Sequence, residues 1–164
     1  MTTAYIGIDP GSPLAMAMVV QGKWVAHASE KMAYKGQKGK GWYNDYTAVA
    51  AVLRDWKKFA LDKGYKPAIM AEYVTIRPGE NLVAGAKFIG SLYAVQGIAA
   101  ALEVDFSTVT PSVWKRHLGL SSDKKKSLSM ARGLYPDRAW RLAKVADHNY
   151  AEAALIATYA SQTV

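Results

Sequence analysis

Two short apolar runs, Ala68–Tyr73 and Val104–Val109, are separated by an alanine-rich stretch of helical character, Leu82–Leu102. A strand, a helix and a strand in that order close most simply as a crossover that lays the two strands parallel in one sheet. Ahead of this unit the chain reads differently. Ala4–Asp9 carries Tyr5, Ile6 and Ile8 and stops at Pro10-Gly11; Leu14–Val20 follows, then Gln21-Gly22, then Lys23–Glu30. A two-residue connection ending in glycine suits a hairpin, so the opening is expected to be a three-stranded antiparallel meander. Tyr46–Lys63 is expected to be a helix, with Val49, Val52, Leu53, Trp56 and Ala60 at three- and four-residue spacing and Gly64 as its stop. Gly85, Gly90 and Gly97 lower the helix propensity of 82–102, and close packing is the expected compensation. Beyond the last strand, Thr110-Pro111 supplies an N-cap and first position for a short helix through Leu118. Further helices are expected from near Ser122 to near Leu134 and from about Ala146 to Tyr159. The fold class is α/β: a mixed sheet with helices on its faces.

A chain of 164 residues without an internal repeat or a long linker fits a single domain over 1–164. Hydrophobic residues make up 51% and charged residues 21%, a balance that belongs to a folded globular chain. Uninterrupted apolar runs are only a few residues long, so no membrane-spanning helix and no membrane partner are expected. The first thirty residues lack the order of a signal peptide, and a cytoplasmic location is expected. The chain has no cysteine, which excludes a disulfide framework, a thiolate zinc site, an iron–sulfur cluster and a cysteine nucleophile. Lysine and arginine number 21 against 13 for aspartate and glutamate, a net charge of +8 that points to a polyanionic partner, nucleic acid above all. Residues 31–44, where Lys31, Lys35, Lys38 and Lys40 alternate with glycines ahead of Trp42-Tyr43, read as a mobile basic loop, solvated or in contact with DNA.

The acids stand out by position. Asp9 ends the first apolar run and Glu72 ends the fourth, in Ala68-Ile69-Met70-Ala71-Glu72-Tyr73. An unpaired carboxylate in a buried strand is costly, and glutamate is a poor strand former. Asp9 could cap the Pro10-Gly11 bend and Glu72 could form an ion pair. Two acids at the ends of two apolar strands also suggest one shared cleft, where their mutual repulsion would be relieved by a divalent cation. A third group is Asp147-His148-Asn149-Tyr150-Ala151-Glu152. On a helix His148 and Glu152 share a face, and Asp147 stands where it could cap the helix or bind metal. An oxygen-rich donor set suits magnesium or manganese, and two such ions can drive metal-assisted phosphodiester cleavage.

Ile6-Gly7-Ile8-Asp9-Pro10-Gly11-Ser12, the strand-end Glu72, Thr110-Pro111-Ser112-Val113-Trp114-Lys115, Leu118-Gly119-Leu120, Lys124-Lys125-Lys126-Ser127 and the late Ala151-Glu152-Ala153 follow one another in an order that resembles the RuvC-type Holliday junction resolvases, closest to their phage-type relatives. The resemblance implies a ribonuclease H-like fold, a five-stranded mixed sheet with three antiparallel strands first, flanked by helices. It implies a magnesium- or manganese-dependent endonuclease with two ions per site, acting on four-way junctions and other branched DNA, usually as a homodimer. The family's first aspartate falls on Asp9, its strand-four glutamate on Glu72, and the second acid of its last pair on Glu152. The first member of that pair falls on Asp147 or His148, with Asn149 as a third choice. The family's basic residues near the site fall on Lys115 and Lys126, with Lys124 and Lys125 extending the patch. Thr75 stands where bacterial members often carry an aromatic residue that stacks on bases at the junction core, with Tyr73 nearer the glutamate.

Two other readings fit parts of the sequence. Gly7-x-Asp9-x-Gly11-Ser12 resembles the first phosphate loop of actin-like ATPases, but those close two such domains on ATP and this chain has room for one. A non-catalytic DNA-binding relative would have lost one or more of the acids.

Overall fold

The computed structural model describes residues 1–11, 13–28, 33–35, 42–76 and 78–164. The chain opens with β1 (Thr3–Asp9), β2 (Ala15–Val20) and β3 (Lys23–Ala28), an antiparallel meander as expected. The β2–β3 turn places Gln21 and Gly22 both at positive φ, 49° and 72°, the paired left-handed conformation that a tight hairpin needs. Next come β4 (Ala33–Lys35), β5 (Trp42–Asn44) and α1 (Tyr46–Asp62). Then β6 (Lys66–Glu72), α2 (Leu82–Ala101) and β7 (Asp105–Val109) form the strand–helix–strand unit. Helices α3 (Pro111–His117), α4 (Lys124–Leu134) and α5 (His148–Thr163) end the chain, with 3₁₀ turns at Pro136–Leu142 and Val145–Asp147 before α5.

The five main strands form one mixed sheet in the order β3-β2-β1-β6-β7, with β6 parallel to β1 and β7 parallel to β6. Period-two alternation sends Ile6 and Ile8 of β1 to one face, where they meet Val49 and Leu53 of α1 and Leu92, Val95 and Ala99 of α2. The other face carries Ala15, Ala17, Val19 and Met70 against the alanine-rich side of α5. Gly7 faces α5, and a Cβ there would overlap the Ala153 carbonyl oxygen and lie 2.5 Å from the Ala157 nitrogen. The absence of a side chain lets α5 lie directly on the central strand, which sets the depth at which Glu152 enters the molecule.

Several expectations need correction. Residues 33–35 and 42–44 of the expected basic loop pair as a two-stranded antiparallel ladder; the rest of 31–44 lies outside the described residues. Among the described residues, only Gly85 of the α2 glycines is packed, with its Cβ position 2.5 Å from Ile76 Cγ1, and nothing lies within 4 Å of the Cβ positions of Gly90 and Gly97. Among the described helices, α2 is long and apolar enough to cross a membrane by length and composition, which the count of uninterrupted runs overlooked. Here Ser91, Leu92, Val95 and Ala99 bury one side of it. Thr110 occupies the N-cap of α3 without a side-chain cap bond; its hydroxyl meets that of Ser112 at 3.2 Å. The last helix begins two residues later than expected because Val145–Asp147 forms its own 3₁₀ turn.

Candidate active site

Because β1 and β6 are parallel neighbours in the register Ile8↔Ala71, their ends bring Asp9 and Glu72 to the same edge of the sheet. Helix α5 lies across β1 and delivers Glu152, buried among alanines, to that edge. The three carboxylates sense one another. Burial raises the Asp9 carboxyl to about 8, and the charges of Glu72 and then Glu152 push in the same direction. The Gly11 N–H, which donates to Asp9 Oδ1 at 3.2 Å, and the Lys115 ammonium pull the other way. Glu72 is also raised, first by burial, against the opposing hydrogen bond from Trp114.

Each acid is engaged by a donor. Trp114 Nε1 donates to Glu72 Oε2 at 2.7 Å. Lys115 Nζ lies 2.9 Å from Glu152 Oε1 in an ion pair that is mostly out of water, and Ser127 Oγ donates to the same oxygen at 3.3 Å. Lys115 is therefore a counter-charge inside the cluster. Among the described residues, no three acid or histidine side chains are gathered tightly enough around one point to hold an ion in this arrangement.

Asp147 and His148 stand at the approach to α5. The Asp147 carboxylate accepts the Lys144 N–H at 2.8 Å, and His148 Nδ1 lies 3.1 Å from the Val145 carbonyl oxygen. A carbonyl can only accept, so Nδ1 is the donor in this contact. Asn149 is half-buried one turn before Glu152. The fourth position stays open among these three. Lys124, Lys125 and Lys126 are all exposed on the first turn of α4, whose cap is Asp123, accepting from Lys125 N–H at 2.9 Å. Three ammonium groups at a helix end that already carries partial positive charge repel one another and the helix dipole. Ser127 follows at once and reaches Glu152, so this patch adjoins the acids.

Sequence reasoning missed Trp114, Ser127 and Asn44 as site residues. Asn44 is buried at the end of β5. Its Oδ1 accepts the Leu14 N–H at 2.8 Å, and its Nδ2 donates to the Gly11 carbonyl and to Ser91 Oγ, both at 3.0 Å. It thus pins the loop that follows Asp9 to α2. Beyond Glu72 the chain borders a cavity of about 480 Å³ lined by Tyr73, Thr75, Asn81, Phe88 and Pro111, among others. Phe88 also edges the Asp9 loop, 3.6 Å from where a Cβ on Gly11 would stand.

No protein-family model matches the sequence, and no curated protein does. Solved structures do. Thermus thermophilus RuvC in complex with a Holliday junction substrate matches with a TM-score of 0.66 at 18% identity, covering 96% of this chain and 92% of that one. The fold is that of RuvC. A second T. thermophilus RuvC structure matches over the same shares at 17% identity, with a TM-score of 0.58. The ribonuclease H-like mixed sheet implied by the sequence resemblance is thus observed, and Asp9, Glu72 and Glu152 stand at one edge of a RuvC-fold sheet.

Proposed function

We propose that the chain is a divalent-metal-dependent endodeoxyribonuclease that cleaves four-way junctions and related branched DNA. The observation that carries this reading is the convergence of Asp9, Glu72 and Glu152, from three distant parts of the sequence, on one end of the sheet, near enough to feel one another's charge. The RuvC fold, seen bound to a Holliday junction in its structural neighbour, supports the choice of substrate. A non-catalytic relative would have no use for three partly buried carboxylates that repel one another, since keeping them costs stability.

The donor chemistry fits magnesium or manganese. All three ligands are carboxylates and cysteine is absent; the Asp9 carboxyl is raised first by burial and then by the charges of Glu72 and Glu152, and a cation bound there would favour its ionised form. Asp9, Glu72 and Glu152, with Asp147 or His148, would hold two ions. Such ions, when bound, lower the pKa of an attacking water and stabilise the leaving 3′ oxygen of the phosphodiester. The rest is the work of the chain. Trp114 fixes the Glu72 carboxylate and Ser127 that of Glu152. Lys115, once freed from Glu152, is placed to meet the negative charge that grows on the scissile phosphate. Lys124, Lys125 and Lys126 hold flanking phosphates. Products would carry a 5′ phosphate and a 3′ hydroxyl. A homodimer would set two such sites against opposite strands of a two-fold junction.

Cleavage of four-way, flap and linear duplex DNA, compared side by side with magnesium and with chelator, tests the proposal. Branched substrates should be cut in magnesium only, and Asp9→Asn and Glu152→Gln should abolish cutting while leaving junction binding in chelator intact. Failure to cut any branched substrate would refute the enzymatic reading.

A further inference from the structure

The 3₁₀ segment Pro136–Leu142 carries Trp140, whose large apolar ring is 67% exposed. A tryptophan this exposed is unusual on a surface. Its backbone, however, is firmly held. At one end Arg138 donates from Nε to the Trp24 carbonyl at 3.1 Å and from a terminal nitrogen to the Val25 carbonyl at 3.4 Å. At the other, Arg132 Nε donates to the Leu142 carbonyl at 2.8 Å. Beneath it runs a chain of edge-to-face ring contacts. Trp140 meets His27 at 6.0 Å between centroids, and His27 meets Tyr150 at 5.7 Å and Trp24 at 5.8 Å. Arg141 places its guanidinium 3.8 Å over the Tyr150 ring. The result is a rigidly mounted indole beside fixed cationic groups.

Sheet register locates it. His27 pairs with Ala17, and Ala17 with Gly7, so His27 stands two strands from β1 and two residues short of Asp9. Strand spacing makes that about 10 Å across the sheet. Tyr150 belongs to the same turn of α5 as Glu152. Trp140, in contact with His27, therefore lies toward the β3 edge of the sheet, on the face that α5 covers.

We propose that Trp140, with Arg141 beside it, is a stacking platform for an unpaired nucleobase of the DNA strand that leaves the acid cluster toward β3. This rests on the nuclease reading above. Charge complementarity favours nucleic acid over a protein partner. Arg138, Arg141 and Lys144 lie within four residues of Trp140 in the chain, against two nearby acids, Asp137, paired with Arg138 at 3.7 Å, and Asp147, which accepts the Lys144 N–H. The exposed large apolar groups there are Trp140 and Val145, a narrow patch ringed by charge. Aromatic faces interleaved with cations are what single-stranded nucleic acid binds, because every base has a π-face and every linkage a charge.

The test is fluorescence anisotropy in chelator with three labelled probes: a four-way junction, a duplex with a single-stranded tail, and a blunt duplex. Trp140→Ala should weaken the tailed duplex and the junction about tenfold and the blunt duplex little. Trp140→Phe, which keeps a stacking face, should bind within about twofold of the wild type, and thermal melting should show both variants folded. Tryptophan emission should be quenched by the tailed duplex in the wild type and less in Trp140→Phe. Equal binding of all probes by Trp140→Ala overturns the platform, as does an equal loss on all three. A change in sedimentation mass with DNA binding unchanged would make this face an interface between copies and overturns it too. Failure of the wild type to bind any of the probes would sink the nuclease reading along with the platform.

Discussion

Asp9 holds its proton to about pH 8 because its carboxyl is buried beside two other acids, whereas an unfolded chain would release that proton near 3.8. Between those values the folded state binds a proton that the unfolded state lacks, so metal-free stability falls as pH rises from about 4 to about 8 and is flat beyond. Asp9→Asn removes the titration. Its melting temperature in chelator should rise relative to wild type across this window, by several degrees at pH 8.5 and little at pH 4. Magnesium at pH 8.5 should stabilise the wild type and leave Asp9→Asn unmoved. Equal pH profiles for the two proteins would show that Asp9 is not the strained acid. Lys115 gives a second prediction. Its ammonium is the positive charge that Glu152 has in the metal-free chain. Lys115→Met should lower stability in chelator by roughly 3–5 kcal/mol, the cost of stranding a buried carboxylate. With no ammonium competing for Glu152, the same variant should bind Mn²⁺ more tightly, measured by electron paramagnetic resonance of the free ion. An unchanged Mn²⁺ affinity would contradict the exchange. Asp9, Glu72 and Glu152 were legible in sequence because an acid at the end of an apolar strand, or among helical alanines, breaks a local rule. Trp114, Ser127 and Asn44 break none. Their partners lie 25 to 47 residues away, and only the fold makes the pairing visible.

At the scale of elements, strand and helix types follow from periodicity, and their mutual depth follows from single residues that periodicity cannot rank. Gly7 sits within a strand of strong β pattern and reads as a weak point. In the structure it is where α5 touches β1. Gly7→Ala should destabilise the chain by at least about 2–3 kcal/mol, since the new methyl meets helix backbone that cannot yield without shifting Glu152. Denaturant unfolding measures the loss, and a shift below about 0.5 kcal/mol would mean that α5 is free to slide away. Asn44 acts between elements in another way, tying the loop after Asp9 to Ser91 of α2. Asn44→Ala strands a buried N–H and loosens that loop. It should lower kcat for junction cleavage about tenfold while junction binding in chelator stays the same; weakened binding at constant kcat would assign Asn44 to DNA contact. The hairpin β4–β5 was hidden in the sequence because glycines and lysines dominate its composition. The turn Pro136–Leu142 was hidden because seven residues of 3₁₀ helix, about two turns, are too few to display a three-residue period.

The whole molecule carries +8, and among the described residues one long helix face is left uncovered. Along α2 the residues Leu82, Ala86, Gly90, Tyr93, Gly97 and Ala100 fall at three- and four-residue steps, and all are exposed. Among the described residues, neither Gly90 nor Gly97 has any atom within 4 Å of its Cβ position. Such a stripe costs helix propensity without packing against the chain's own sheet, and it suits the close approach of an identical helix across a two-fold axis. From the sequence the glycines were equally compatible with sheet packing; the choice needed the sheet to be in place. If α2 joins two copies, Gly90→Glu should give a folded monomer, because an exposed helical glycine replaced by a good helix former stabilises the helix itself while a charge now stands in the seam. Sedimentation would report the mass and thermal melting the intact fold. The function should split in a way no active-site change reproduces. One subunit can still nick a strand, so magnesium-dependent nicking should persist while the paired, symmetric cuts that resolve a four-way junction are lost. A Gly90→Glu protein that remains a dimer places the seam elsewhere, and a monomer that still makes paired cuts removes the need for two-fold symmetry in the reaction.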